Sequence, residues 1–319
     1  MRIVFAGSGT FGLPTLGALV EGGQEIVLAA TQPDRPAGRG RAVRVGPVKR
    51  FARDRGIRFF QPEDINSRPA VRRIRDARPD LLLVIAFGQK IGNTILKRPR
   101  YGAVNLHASL LPKYRGAAPV NWAIINGEAE TGLTVIRMTD RMDAGDILGQ
   151  HATQISPNET AGELHDRLAR LGARLVTEVV RELVLDEIHL RHQNETQATF
   201  APRLKKTDGR IDWDRPAADV YNQIRGTTLW PGAYTHWRRR SPKGPLRLVI
   251  NRVSRTETRA GEAKPGTILA AQAGGIDVAA ATGAVRILEL TPAGKCKMSA
   301  ADFLNGYALR AGAQLVGAG

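Results

Sequence analysis

Asp80-Leu81-Leu82-Leu83-Val84-Ile85-Ala86 runs from a single acid into six consecutive apolar residues, with no polar position between them. A short stretch that is apolar on both faces fits a strand covered on both sides, the hallmark of a parallel sheet flanked by helices. The residues around it supply the rest of such a sheet. Residues 3–6, 25–30 and 57–60 read as strands. Residues 11–20, 47–55 and 71–77 carry apolar positions at helical spacing, and a further strand covers residues 103–106. This alternation predicts an α/β fold: a doubly wound, mostly parallel, Rossmann-like sheet whose ligands lie beyond the carboxyl ends of its strands. Residues 131–138 add a strand and residues 160–184 a long amphipathic helix. Glu163 stands three residues after Thr160, as a capping box requires.

The pattern changes near residue 187. Residues 188–202 are polar and irregular. Beyond Asp208 the chain breaks into short alternating segments, 246–250, 266–269, 275–279 and 285–290, separated by turns. Such spacing predicts a small, OB-like β-barrel. The expected division is an N-terminal domain over 1–187, a linker over 188–206 and a C-terminal barrel domain over 207–319.

Bulk composition narrows the partners. A chain of 319 residues is long enough for two cores. It holds no apolar run near the ~20 residues of a membrane span. The opening stretch, residues 1–7, reads as a strand entering a glycine turn rather than a signal peptide. Cys296 is the single cysteine, which excludes a disulfide framework and a thiolate metal cluster and favours a cytoplasmic setting. The formal charge of +17 points to an anionic partner such as nucleic acid, or else to arginine-rich helix faces. Clustering favours the first: residues 35–58 hold nine arginines and lysines against Asp54 alone, and Arg238-Arg239-Arg240 forms a second cluster.

Chemistry concentrates in Asn105-Leu106-His107-Ala108-Ser109-Leu110-Leu111-Pro112-Lys113-Tyr114-Arg115-Gly116-Ala117-Ala118-Pro119. An amide donor and an imidazole two residues apart point to the same side of an extended chain. They sit where a strand ends and a Pro/Gly loop begins, an arrangement suited to work on a carbonyl. Asp140-Arg141-Met142-Asp143-Ala144-Gly145-Asp146 also follows a strand. It reads as an ordinary turn, or as a source of a carboxylate for His107, and a carboxylate beside an imidazole favours its cationic form. Gly7-Ser8-Gly9-Thr10-Phe11-Gly12 matches the dinucleotide fingerprint between a strand and a helix. The acid expected after the second strand is replaced by Thr31-Gln32-Pro33, so the glycines read more readily as a tight turn. His189 and His192 have H-x-x-H spacing without a supporting ligand cluster, and no metal site is expected.

Three segments together resemble the methionyl-tRNA formyltransferases, within the wider folate-dependent formyltransferase family. They are the Asn105 segment, Gln32-Pro33-Asp34-Arg35-Pro36-Ala37-Gly38-Arg39-Gly40, and Met142-Asp143-Ala144-Gly145-Asp146. The tail, Pro292-Ala293-Gly294-Lys295 and then Met298-Ser299-Ala300-Ala301-Asp302-Phe303-Leu304-Asn305-Gly306, shares the likeness. The chain departs from the family where it has Gly7-Ser8-Gly9-Thr10-Phe11-Gly12 and at Gly92.

The resemblance implies formyl transfer from 10-formyltetrahydrofolate, without a metal, to the amine of methionyl initiator tRNA, by a monomer. It implies Asn105, His107 and Asp143 as the catalytic residues. The folate would meet Ala86, Phe87, Gly88, Gln89, Lys90 and Ile91, the Ser109, Leu110, Leu111 and Pro112 run, and Asp140 and Gly145. It implies tRNA contacts from Arg35, Arg39 and Arg41 and, in the C-terminal domain, from Arg203, Lys205, Lys206, Arg238, Arg239 and Arg240. Three other readings remain open on the sequence. One is formylation of a sugar-nucleotide amine, which Lys113-Tyr114-Arg115-Gly116 and Asn121-Trp122 would suit. The others are an NAD(P)-dependent oxidoreductase built on Gly7, Gly9 and Gly12, and a non-catalytic RNA-binding module.

Overall fold

The Leu81–Ile85 strand is buried at all of its residues, as its unbroken apolar run requires, because helices cover both faces of the sheet around it. The structure, a computed structural model, describes residues 1–37, 42–239 and 244–317. Contacts divide the chain into two units. The first comprises residues 1–116, 131–153 and 165–201, and the second comprises 117–130, 154–164 and the chain from 202 onward.

The first unit is built on a seven-stranded sheet. Its spatial order is Ile147–Gln154, Glu130–Arg137, Ala103–His107, Leu81–Ile85, Arg2–Gly7, Glu25–Ala30, Phe59–Phe60. Arg2–Gly7 pairs in parallel with Glu25–Ala30 on one side and with Leu81–Ile85 on the other. The chain therefore leaves the first strand in one direction and returns in the opposite one. This makes a switch point, where the strand ends open a crevice. Gly7 is in register with Ile85, and Val84 with Asn105, so three strand ends meet there. Glu130–Arg137 runs antiparallel to Ala103–His107 and brings Thr134 opposite His107. The doubly wound arrangement expected from the alternation is present. The Ile147–Gln154 strand is an addition the sequence did not signal, because its second half is largely exposed and carries no apolar repeat.

The Ala161–Leu185 helix begins as its sequence announces. Thr160 Oγ1 accepts the Glu163 N–H at 3.3 Å, and the Glu163 carboxylate accepts the Thr160 N–H at 2.9 Å. That backbone bond outweighs partial burial and holds the Glu163 carboxyl below the usual range.

The second unit is built on an antiparallel sheet in the order Ile268–Gln272, Gly275–Ala279, Ala284–Pro292, Leu246–Arg255, Ala233–Trp237, Leu315–Val316. Its strands alternate cleanly. Ala233, Thr235 and Trp237 face the core while Tyr234 and His236 are half-exposed. The inner face packs against Val220 and Ile224 of the Ala217–Gly226 helix and against Phe303 of the Ala300–Gly306 helix. Segments 246–250, 275–279 and 285–290 all fall on strands of this sheet.

Part of the 188–206 segment, expected to be a linker, is bonded into the first unit. Arg191 exchanges backbone hydrogen bonds with Ile147 at 2.8 and 3.0 Å, and Phe200–Ala201 pairs in parallel with Arg115–Gly116. Two-residue pairings of this kind leave no periodic trace in sequence.

Candidate active site

Asn105 and His107 lie on the last turns of the pleat in Ala103–His107, a strand anchored by the buried Ala103, Val104 and Leu106. Period-two geometry aims both side chains to one side. Asn105 is half-buried, and its amide has no hydrogen-bond partner among the described residues. His107 is only 5% exposed.

The ring of His107 is oriented by the chain that follows it. Its Nε2 lies 2.9 Å from the Tyr114 carbonyl oxygen. A carbonyl only accepts, so Nε2 carries a hydrogen and donates, and Nδ1 is left to gain or lose the proton. Nδ1 faces the Asp143 carboxylate at 3.7 Å. That carboxylate is largely buried, and its Oδ2 accepts the Gly116 N–H at 2.9 Å. Asp143 sits at φ 51°, in the left-handed region that Asp tolerates better than most residues.

The loop that delivers the Tyr114 carbonyl is braced throughout. The Ser109 hydroxyl donates to the Lys113 carbonyl at 2.6 Å. Thr134 donates to the Ser109 carbonyl at 2.7 Å and accepts the Leu111 N–H at 3.1 Å. Gln150 donates to the Leu111 carbonyl at 3.0 Å. Leu111–Pro112 is a cis peptide. The Tyr114 N–H donates to Thr199 Oγ1 at 2.9 Å. Ser109 and Leu111 are thus buried supports, while Leu110 and Pro112 are half-exposed. Asp140 is exposed and Gly145 is buried.

The run after the Leu81–Ile85 strand divides into two sets. Ala86, Gly88 and Lys90 are exposed, with Ala86 at φ 49° and Gly88 at φ 85°. Phe87 and Ile91 are buried. Gln89 turns into the scaffold, accepting the Ile65 N–H at 2.7 Å and donating to the Pro62 carbonyl at 3.0 Å. This leaves exposed backbone, nearly free of side chains, able to lie against a flat heterocycle.

Two glycines of the fingerprint, Gly7 and Gly12, serve packing, while a Cβ at Gly9 would meet nothing within 4 Å. A Cβ at Gly7 would stand 2.8 Å from the Ile85 carbonyl oxygen, and one at Gly12 would stand 2.9 Å from Phe5. Between them, Ser8 donates to the Phe87 carbonyl at 3.1 Å and accepts the Gln32 N–H at 3.1 Å. Asp34, the one acid near the place a ribose partner would occupy, is already engaged. Lys49 pairs with it, Gln61 donates to it at 3.0 Å, and the Lys49 bond is the chief reason its carboxyl lies below the usual range.

Among the basic residues, Arg35, Arg203, Lys205, Lys206 and Arg238 are exposed. Arg239 is half-buried and donates from Nε to the Gly244 carbonyl at 3.3 Å. Arg39, Arg41 and Arg240 lie outside the described residues. No group of three or more His, Cys, Asp or Glu side chains with metal-binding geometry occurs among the described residues. His192, half of the H-x-x-H pair, instead meets Asp146 at 2.5 Å. Sequence reasoning did not find the Tyr114 carbonyl, the Gly116 N–H or Thr199. The first two act through the backbone, and Thr199 lies in a segment with no regular pattern.

Comparison with known proteins identifies the family. Residues 1–180 match the formyl transferase family and residues 203–308 match the formyl transferase C-terminal domain. A methionyl-tRNA formyltransferase of Citrifermentans bemidjiense is 44% identical over 99% of this chain and 96% of its own length. That of Methylococcus capsulatus is 42% identical over 97% and 98%. Among solved structures, the sugar 3N-formyl transferase WlaRD superposes with a TM-score of 0.66 at 17% identity, covering 93% of this chain and 99% of that one. HypX from Aquifex aeolicus, in complex with tetrahydrofolic acid, gives 0.63 at 18% identity, covering 95% of this chain and 47% of that one. At such identities these two structures share the fold.

Proposed function

We infer that this chain, which belongs to the methionyl-tRNA formyltransferase family within the formyl transferases, transfers a formyl group to the amine of methionyl initiator tRNA, giving N-formylmethionyl-tRNA. The observation that carries the reading is that His107, on the strand that also presents Asn105, faces the Asp143 carboxylate at 3.7 Å.

The carrier we propose is 10-formyltetrahydrofolate, its pterin lying against Ala86 and Gly88 and its formyl group presented to the strand end. As the neutral amine attacks, a C–N bond forms, negative charge grows on the formyl oxygen, and the bond to the carrier nitrogen breaks. The unpartnered Asn105 amide donates to that oxygen, and protonated His107 adds positive charge beside it. Asp143 offsets the charge on His107 and accepts the proton shed by the amine, which passes in the end to the departing carrier nitrogen. Tyr114, by holding Nε2–H, keeps the ring from turning away.

The tRNA contacts we propose are Arg35, Arg39 and Arg41 in the first unit and Arg203, Lys205, Lys206, Arg238, Arg239 and Arg240 in the second. They position the acceptor end through phosphates rather than by reading bases. We propose further that the protein works as a cytoplasmic monomer. No helix among the described residues is long and apolar enough to cross a membrane.

The sugar-amine reading has less support, since the sugar enzyme is 17% identical and the methionyl-tRNA enzymes reach 44%. The test pairs the purified protein with 10-formyltetrahydrofolate and, in parallel, methionyl initiator tRNA or an amino-sugar nucleotide. Formylmethionine is expected after hydrolysis of the tRNA product. Formylation of the sugar alone would refute the reading.

A further inference from the structure

We propose that Gln193 is a positioning residue for Asp143: its side-chain amide clamps the Asp143–Gly145 turn, and the buried guanidinium of Arg115 fixes the direction in which that amide faces. The proposal rests on the formyl-transfer reading above.

The geometry begins with the turn itself. Asp143 holds a left-handed backbone at φ 51°, a conformation that costs a non-glycine residue free energy and persists only where its surroundings enforce it. Gln193 Nε2 donates to the Asp143 carbonyl at 2.8 Å and to the Gly145 carbonyl at 2.7 Å, so both amide hydrogens are used on one turn. Gln193 Oε1 accepts from Arg115 Nε at 3.2 Å and from Nη2 at 2.8 Å. An amide turned end for end would set NH2 against a guanidinium and its oxygen against two carbonyls. Donor and acceptor chemistry therefore permits one orientation.

Arg115 is itself fixed. It is 4% exposed, and its guanidinium is held by the Glu195 carboxylate at 3.0 Å. The hydrogen bond from Arg115, outweighing what burial there is, keeps the Glu195 carboxyl below its ordinary range. Gly116, the next residue, gives its N–H to Asp143 Oδ2. One two-residue strand thus holds the Asp143 carboxylate directly and the Asp143 backbone through Gln193. Two residues before Gln193, Arg191 is bonded to Ile147 in both directions, which registers the segment against the strand that follows the turn. The segment expected to be a linker consequently carries part of the active-site scaffold. Gln193 is placed to act through Asp143 and to set the distance from its carboxylate to His107.

The test uses the full-length protein with 10-formyltetrahydrofolate and methionyl initiator tRNA. Gln193→Met keeps the length of the side chain and removes its hydrogen bonds. Gln193→Glu keeps an acceptor for Arg115 and removes both donors to the turn. Both are expected to lower kcat about 10–100-fold, the scale of an ångström-level misplacement, with KM for either substrate little changed. In an Asp143→Asn background, Gln193→Met should slow the enzyme scarcely further, because the two changes remove one function. A residue that merely supported the fold would give additive losses. An unchanged kcat in both single variants, or full additivity with Asp143→Asn, would overturn the proposal. Should Gln193→Met fail to fold, the same kcat and KM expectations are read from Gln193→Glu. The wild type separates the two levels. Wild-type protein that forms no formylmethionyl-tRNA sinks the functional reading, whereas active wild type with unimpaired Gln193 variants sinks the positioning role alone.

Discussion

His107 shows how one backbone oxygen settles which ring nitrogen is free to exchange a proton. Because the Tyr114 carbonyl takes Nε2–H, Nδ1 is the nitrogen left to exchange a proton, and it faces Asp143. The same economy holds at Gly145. A side chain there would overlap the Arg137 carbonyl oxygen, so the turn carrying Asp143 closes against its parent strand only with glycine. Gly145→Ala is expected to destabilise the protein by about 1–3 kcal/mol and to lower kcat at least tenfold, since the turn must shift and Asp143 with it. Denaturant unfolding and steady-state kinetics check both. Asn105 and His107 were legible in the sequence because polar side chains two apart at a strand end are conspicuous. The backbone groups that orient His107 and Asp143 were not, because a carbonyl and an N–H look alike at every residue of a chain.

Elements divide in the same way. Strands with uniform burial, such as Leu81–Ile85, or with clean alternation, such as residues 246–250, announced themselves. The Ala217–Gly226 helix did not, because only one of its faces meets the sheet and polar residues interrupt that face. Inside Gly275–Ala279 sits an exception to the apolar rule. Asp277 is 2% exposed, yet Arg286 on the neighbouring strand donates to it at 2.7 and 2.8 Å and Thr258 donates at 2.6 Å. Burial opposes its ionisation, but these hydrogen bonds outweigh burial and hold its carboxyl below the ordinary value. A depressed folded-state pKa contributes stability above the unfolded value, and that contribution fades as pH falls through the folded one. Asp277→Asn should therefore cost about 2–3 kcal/mol at neutral pH, short of a fully buried pair because Arg286 keeps 39% exposure. The gap to wild type should close in acid. All four tryptophans, Trp122, Trp213, Trp230 and Trp237, belong to the second unit, so their fluorescence follows its unfolding. A gap that stays constant with pH would contradict the ion-pair account.

For the whole molecule, the sequence separated chemistry from substrate. The segments around Asn105 and Asp143 name the reaction, and Asn105, His107 and Asp143 all lie in the first unit. The charge of +17 and the exposed Arg35, Arg203, Lys205, Lys206 and Arg238 name an anionic partner. The one misleading local signal, the glycine fingerprint, arose because a close strand-to-helix turn needs the same small residues whether or not a dinucleotide sits on it. What joins the parts into one claim is that an amide, an imidazole and a carboxylate move a formyl group onto methionyl-tRNA. Single-turnover transfer tests this most directly, with enzyme in excess and both substrates saturating. Wild type should form N-formylmethionyl-tRNA, and His107→Ala should do so about 10²–10³-fold more slowly while still binding both substrates. Transfer by His107→Ala at the wild-type rate would contradict the account.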